Sequence, residues 1–154
     1  MTFAISTPLK SDMVALIPPR FNGGVIRVFG NTKPDYPEQA ENQHGGVLLG
    51  YITNGGLPPD YVGSGLQIVQ SLPYLVSSPF QSWVLTPTAS GIAKWFRFVA
   101  DQNDDGGVNY SKYRMDGSCG ADNTFELVLP TTTLTFGQPV FPLSFFYTIP
   151  PIIS

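Results

Sequence analysis

The stretch 91–101, GIAKWFRFVAD, limits what this chain can fold into more than any other. Ile92, Lys94, Phe96 and Phe98 share one parity, and Trp95, Arg97 and Val99 share the other. Alternate residues of a strand point to opposite faces, so both faces of this run carry large apolar groups and neither can be fully wet. It reads as a central strand of a two-layer β protein, covered on one side and partly covered on the other. Polar, Gly-rich segments bound it at 86–91 and 101–107.

The rest of the chain supplies strands to pair with it. Candidate runs are VIRVF at 25–29, VLLGYIT at 47–53, 66–70, 73–76, SWVLT at 82–86, 110–115, TFELVL at 124–129 and PVFPLSFFYTI at 139–149. The last contains Pro142, which cannot donate to a ladder and so predicts an edge or bulged strand. Arg27 and Arg97 sit in similar settings, VIRVF and WFRFV, where each stem can lie over apolar surface with its head wet or paired. Residues 31–43 are polar, with two prolines and three acids, and predict a long surface loop. Near the start, Thr7 is placed to cap a short helix, and Pro8 suits its first position. Leu9, Met13, Leu16 and Ile17 then share a face, and Pro18-Pro19 ends it. The plainer reading packs this helix on the end of the sheet; the sharper one makes it an arm docking on a neighbouring subunit. Strand candidates every 10–15 residues predict an all-β fold, an antiparallel β-sandwich or jelly-roll-like barrel with a short N-terminal helix. The expected organisation is one domain, 1–154, with an N-terminal arm over 1–20 and an apolar C-terminal strand and tail over 139–154.

Composition narrows function. Charged residues are 12% of the chain, about half of the ~25% usual in globular proteins, and aromatics are 13%. A solitary domain keeps more charge outside, so part of this surface is expected to be hidden against neighbours. The net charge is −3 and no run of Lys or Arg occurs, which leaves no footprint for nucleic acid or an anionic membrane. No apolar run approaches the ~20 residues that span a bilayer, and the first residues lack a signal-peptide pattern.

No catalytic constellation is readable. His44 has no partner histidine, and Cys119 has no basic neighbour to activate it. Asp101, Asn103 and Asp105, followed by Gly106, match the opening of a calcium loop, but Lys112 stands where the bidentate Glu belongs. The competing reading is an acidic hairpin loop with Asp105-Gly106 at its turn. Asn109-Tyr110-Ser111 matches a glycosylation acceptor by chance. Tyr36, Tyr51, Tyr61, Tyr74 and Trp83 could line a sugar-binding face, although scattered aromatics in a sandwich are more often core or contact groups. The stretch 141–153 carries no charge and is expected to be a buried strand or a docking surface.

Several motifs in order resemble a family of small virion structural proteins of tailed bacteriophages. They are NGGVIRVF at 22–29, a Pro-containing acidic loop ending in Ala40, GVLLGYIT at 46–53, ASGIAKWFRF at 89–98, MDGS at 115–118 with GAD at 120–122, and a closing apolar strand ending at Ile149-Pro150. Residues 31–43 and 57–79 depart from that pattern. The resemblance implies a non-enzymatic virion component without cofactor, assembled in the bacterial cytoplasm. The first expectation is a capsid decoration or cement protein; the alternatives are a tail, collar or head–tail connector component, and a glycan-binding host-attachment module. Expected partners are copies of itself, a trimer among the options, and the major capsid protein or tail and connector proteins. Interface candidates are Leu9, Met13, Arg27, Arg97, Phe141, Phe145, Phe146 and Tyr147.

Overall fold

The computed structural model describes residues 4–71 and 74–148. The protein is all-β with a short helical N-terminus, and its frame is a single curled sheet. Nine strands run in the order β3-β4-β11-β9-β8-β7-β1-β2-β5, and β6 and β10 form a separate ribbon. The strands are β1 (Val25–Gly30), β2 (Val47–Asn54), β3 (Ile68–Ser71), β4 (Tyr74–Ser77), β5 (Trp83–Pro87), β6 (Gly91–Ile92), β7 (Trp95–Val99), β8 (Arg114–Gly120), β9 (Leu127–Val128), β10 (Thr133–Leu134) and β11 (Ser144–Thr148). All pairs are antiparallel except β8–β9, so the sheet is mixed.

β7 is buried at every position, as a central strand requires. Its core-facing row runs through Leu85, Ile52, Ile26, Phe98 and Met115 on β5, β2, β1, β7 and β8. The sheet curls until its far members meet: the ring of Trp83 on β5 lies 5.3 Å from that of Phe145 on β11. Phe145 also packs against Phe96 and Phe98. Gly117, directly opposite Phe96, has no side chain because a Cβ there would come within 2.5 Å of that ring.

Other parts of the chain cover each edge of the sheet over part of its length, which hinders strand addition by a second molecule. The helices α1 (Thr7–Ala15) and α2 (Pro18–Phe21) pack on β4 and β3. Asn22 accepts the outward Ile68 N–H at 2.9 Å, and Gln70 reaches Ser11 at 2.7 Å. At the other edge, Leu85 and Val140 exchange two backbone hydrogen bonds of 2.8 Å. The plainer reading of the N-terminal helix is therefore what the fold shows.

Several local expectations shift. Ser6, not Thr7, caps α1, accepting from the Leu9 N–H. Val14 is the buried helical residue, while Leu9 and Leu16 are exposed, and Pro18-Pro19 starts α2 instead of only ending α1. The run 91–101 divides at Ala93-Lys94, where Ala93 bonds to Thr132 and Lys94 to Phe29. The strand expected at 110–115 begins at Arg114 and continues through Asp116-Gly117, because the Asp116 carboxylate meets Arg97 within the sheet instead of turning the chain. Of the run 124–129, only Leu127–Val128 is strand; Thr124 is drawn into a turn by Asp122. β11 lies between β4 and β9, so it is interior and not an edge; Pro142 sits ahead of it.

Candidate functional site

The outer face of β1, β7 and β8 carries an unusual load. Tyr51, Arg27, Arg97 and Asp116 form one row across the four strands β2, β1, β7 and β8. Two arginines directly opposite each other repel. Each is therefore matched: Arg97 makes a two-pronged pair with Asp116 at 2.7 and 2.9 Å, and Arg27 pairs with Glu41 at 2.7 Å. In the adjacent row, Arg114 grips Asp104 with bonds of 2.7 and 2.6 Å. Three positive and three negative groups thus balance in a layer where Arg97 is 0% exposed and Asp104 2%.

The same guanidinium groups hold loop backbone. Arg27 donates to the carbonyls of Gln102 and Asp104, Arg97 to Gln39 and Arg114 to Pro37. These bonds fasten the loops 31–46 and 100–113 over the face. The loops also tie to each other, Glu41 N–H to Gly106 at 2.8 Å and Asn109 N–H to Glu38 at 2.9 Å. Gly106 has φ +77°, and a Cβ there would strike the Glu41 carboxylate at 2.3 Å. Beneath the loops, Phe29 stacks on Trp95 at 4.2 Å. Burial pulls the Asp104 carboxyl up, but the hydrogen bonds of Arg114 and Gly106 and the charges of Arg114 and Arg27 outweigh it and hold the group below its ordinary 3.8.

Charge is nearly absent from two long segments of the chain. Between His44 and Lys94 the only charged residue is Asp60, and after Glu126 there is none. Most large apolar side chains left exposed lie in these two segments, among them Val62, Phe80, Phe136, Phe141 and Leu143. Val62 and Phe80 are essentially uncovered, at 101% and 95%. Their loops do not hang loose. The Gln81 side chain accepts from the Gln67 N–H at 2.6 Å and the Trp83 indole at 3.1 Å, and donates to the Gly65 carbonyl at 2.9 Å. Ser64 bonds back to Pro59 at 2.8 Å.

The interface candidates divide. Leu9, Phe141 and Phe146 are exposed and Met13 is half-buried. Arg27 and Arg97 are spent within the chain, because each guanidinium is buried against loop carbonyls and a carboxylate, with only the Arg27 Nε lacking a hydrogen-bond partner. Phe145 belongs to the core. Tyr147 is half-buried and donates to the Asp116 carbonyl at 3.1 Å; burial, with Asp116 and Glu126 nearby, pushes its phenol up to about 12. Residues 149–154 of the expected apolar tail lie outside the described residues.

The calcium candidates are engaged otherwise. Asp101 pairs with Lys112 at 2.8 Å and accepts the Asn103 N–H, while Asp105 accepts the Gly107 N–H. Among the described residues, no group of three or more His, Cys, Asp or Glu is placed to hold a metal ion. Cys119 is buried, which pushes its thiol up to about 12. Trp83, a candidate for stacking on sugar, is 8% exposed and faces the core. Sequence reasoning missed Arg114, Asp104, Glu41 and Asp116 as one cluster. The available signal was Arg27 and Arg97 in apolar strand settings, with acids in the two loops that separate Arg27, Arg97 and Arg114.

No protein-family model, curated protein or solved structure matches the chain.

Proposed function

We propose that this chain is a non-enzymatic structural subunit of a tailed-phage virion, working as a capsid decoration or cement protein. The observation that carries this reading is the pairing of a rigid frame with an exposed, nearly charge-free apolar surface. Large apolar side chains such as Phe80 and Phe141 stand in solvent on segments with one charge between them. Surfaces of that kind mark protein contact in soluble molecules. Partly covered sheet edges favour contact through side chains over strand pairing. The run of motifs resembling small phage virion proteins supplies the setting.

The test is the copy number of the chain per purified virion, by quantitative mass spectrometry against the major capsid protein. Hundreds of copies scaling with the capsid lattice support decoration or cement. A few to a few dozen copies move it to a tail, collar or connector ring. Absence from particles overturns the virion reading.

A further inference from the structure

Two surface features of opposite shape adjoin each other on this chain. The first is a tip made by the exposed turn Asp60, Tyr61 and Val62, with Phe80 exposed on the loop that Gln81 ties to Gly65. Tyr61 is 60% exposed, and Val62 and Phe80 are almost wholly so. Pro58-Pro59, the Tyr61 N–H bond to Pro58, the Ser64 bond to Pro59 and the Gln81 clamp hold the tip in one shape. The second is an open groove lined by Leu16, Ile17, Pro19, Arg20, Phe21 and Tyr113. Its lining is apolar apart from Arg20, which lies over the Tyr113 ring at 5.2 Å. The two features share a seam, where Gly23 bonds to Leu66 and Gly65 packs against the Gly23 backbone.

Their charges are complementary and unused. Asp60 is the sole charge of the tip and Arg20 the sole charge of the groove; both are exposed, and neither makes an ion pair among the described residues. We infer that the tip of one copy seats in the groove of a second copy, with Val62 and Phe80 against Leu16, Pro19 and Tyr113 and Asp60 facing Arg20. A lipid surface fits less well, because anionic headgroups draw on clustered cations and the tip has none. The partner is a second copy because this chain itself carries the apolar groove with the matching cation. Since tip and groove are neighbours, a two-fold pairing inserts both at once, the reciprocal contact of an isologous interface. A preformed tip also loses little freedom on binding, which favours affinity.

This inference names the self-contact of the surface described under the proposed function, and it stands apart from where the particle places the protein. The experiment is sedimentation equilibrium and light scattering on the full chain. The wild type is expected to associate reversibly. Phe80→Ser and Val62→Ser each raise the dissociation constant by about tenfold or more, the range of buried anchor residues. Asp60→Arg and Arg20→Asp each weaken association, and the double exchange restores it. Because all four positions are exposed, circular dichroism and melting temperature serve to show that the variants remain folded. A wild type that stays monomeric at high concentration overturns the inference, as does association unaffected by Phe80→Ser or not restored by the double exchange. Monomeric protein that still enters virions in lattice numbers leaves the virion reading standing and removes only this contact.

Discussion

The loop cover over β1, β7 and β8 and the segments 45–93 and 127–148 rest on one sheet, yet they are held by opposite chemistry. In the cover, six charged side chains are taken out of water and hold two loops of more than a dozen residues each in place. In the nearly charge-free segments, shape comes from Gly and Pro turns, backbone pairing and a few neutral side chains such as Gln81, Asn54 and Ser64, and the apolar side chains that do not fit inside stay outside. The difference shows what buried charge does here. A long polar loop has too little apolar surface to pin itself, so geometry-demanding guanidinium bonds do it instead. An apolar tip needs only a few bonds at its base, because nothing has to hold its side chains against water unless a partner covers them.

The largest effect should come from breaking one half of a buried pair. Asp104→Asn leaves Arg114 without its counter-charge, and removing one partner of such a pair costs about 3–5 kcal/mol. Urea unfolding is expected to show that loss, and amide exchange to rise first in 31–46 and 100–113. A loss confined to a few tenths would mean the cover is held by backbone contacts alone. Phe145→Ala should cost a similar ~3–5 kcal/mol, because it opens a cavity where the sheet ends meet. Its exchange should rise across the whole core and not in the loops, which separates the two regions.

The pH dependence sharpens the same contrast. Asp104 is held below its ordinary 3.8 in the folded chain. Its contribution is present above that value and is lost as pH falls through the lower folded value, so the cover should loosen in strong acid. Cys119 and Tyr147 are raised to about 12 from 9.0 and 10.0. Their contribution is full below the ordinary values and is lost as pH rises toward 12. Melting temperature against pH should therefore fall at both ends, and Tyr147→Phe should flatten only the alkaline limb. An alkaline limb unchanged by that substitution would point to other groups.

The smallest effects belong to the exposed residues. Phe141→Ser is expected to change stability by no more than about 0.5 kcal/mol, as at other surface positions away from special contacts. A larger loss by thermal unfolding would make Phe141 part of the frame. Chelator should leave the melting temperature unchanged, because Asp101 is matched by Lys112 and Asp104 by Arg114. A chelator-dependent drop would return the 101–106 loop to the calcium reading.

Periodicity determined a good deal. The β class and the strands carrying VIRVF, VLLGYIT and WFRFV follow from residues that alternate or stay apolar throughout; the β7 run predicts only partial cover on its second face, and the loop cover buries that face as well. The helical start followed from Pro8 with a hydroxyl beside it, although Ser6 and not Thr7 took the capping role. Local patterns failed where a distant group decided. Asp116-Gly117 looks like a turn until Arg97 arrives from β7, and Pro18-Pro19 looks like a stop until the chain finds β3. Only the tertiary structure decided that Arg27, Arg97 and Arg114 share one buried layer with Glu41, Asp104 and Asp116. Only it decided that the loop 31–46 is a cover and not a free surface loop. The physical reason is that ion pairs between residues 10 to 19 positions apart, and carbonyl contacts up to 77 apart, are set by strand register and loop closure. Sequence spacing encodes which face a residue takes, but not what arrives opposite it.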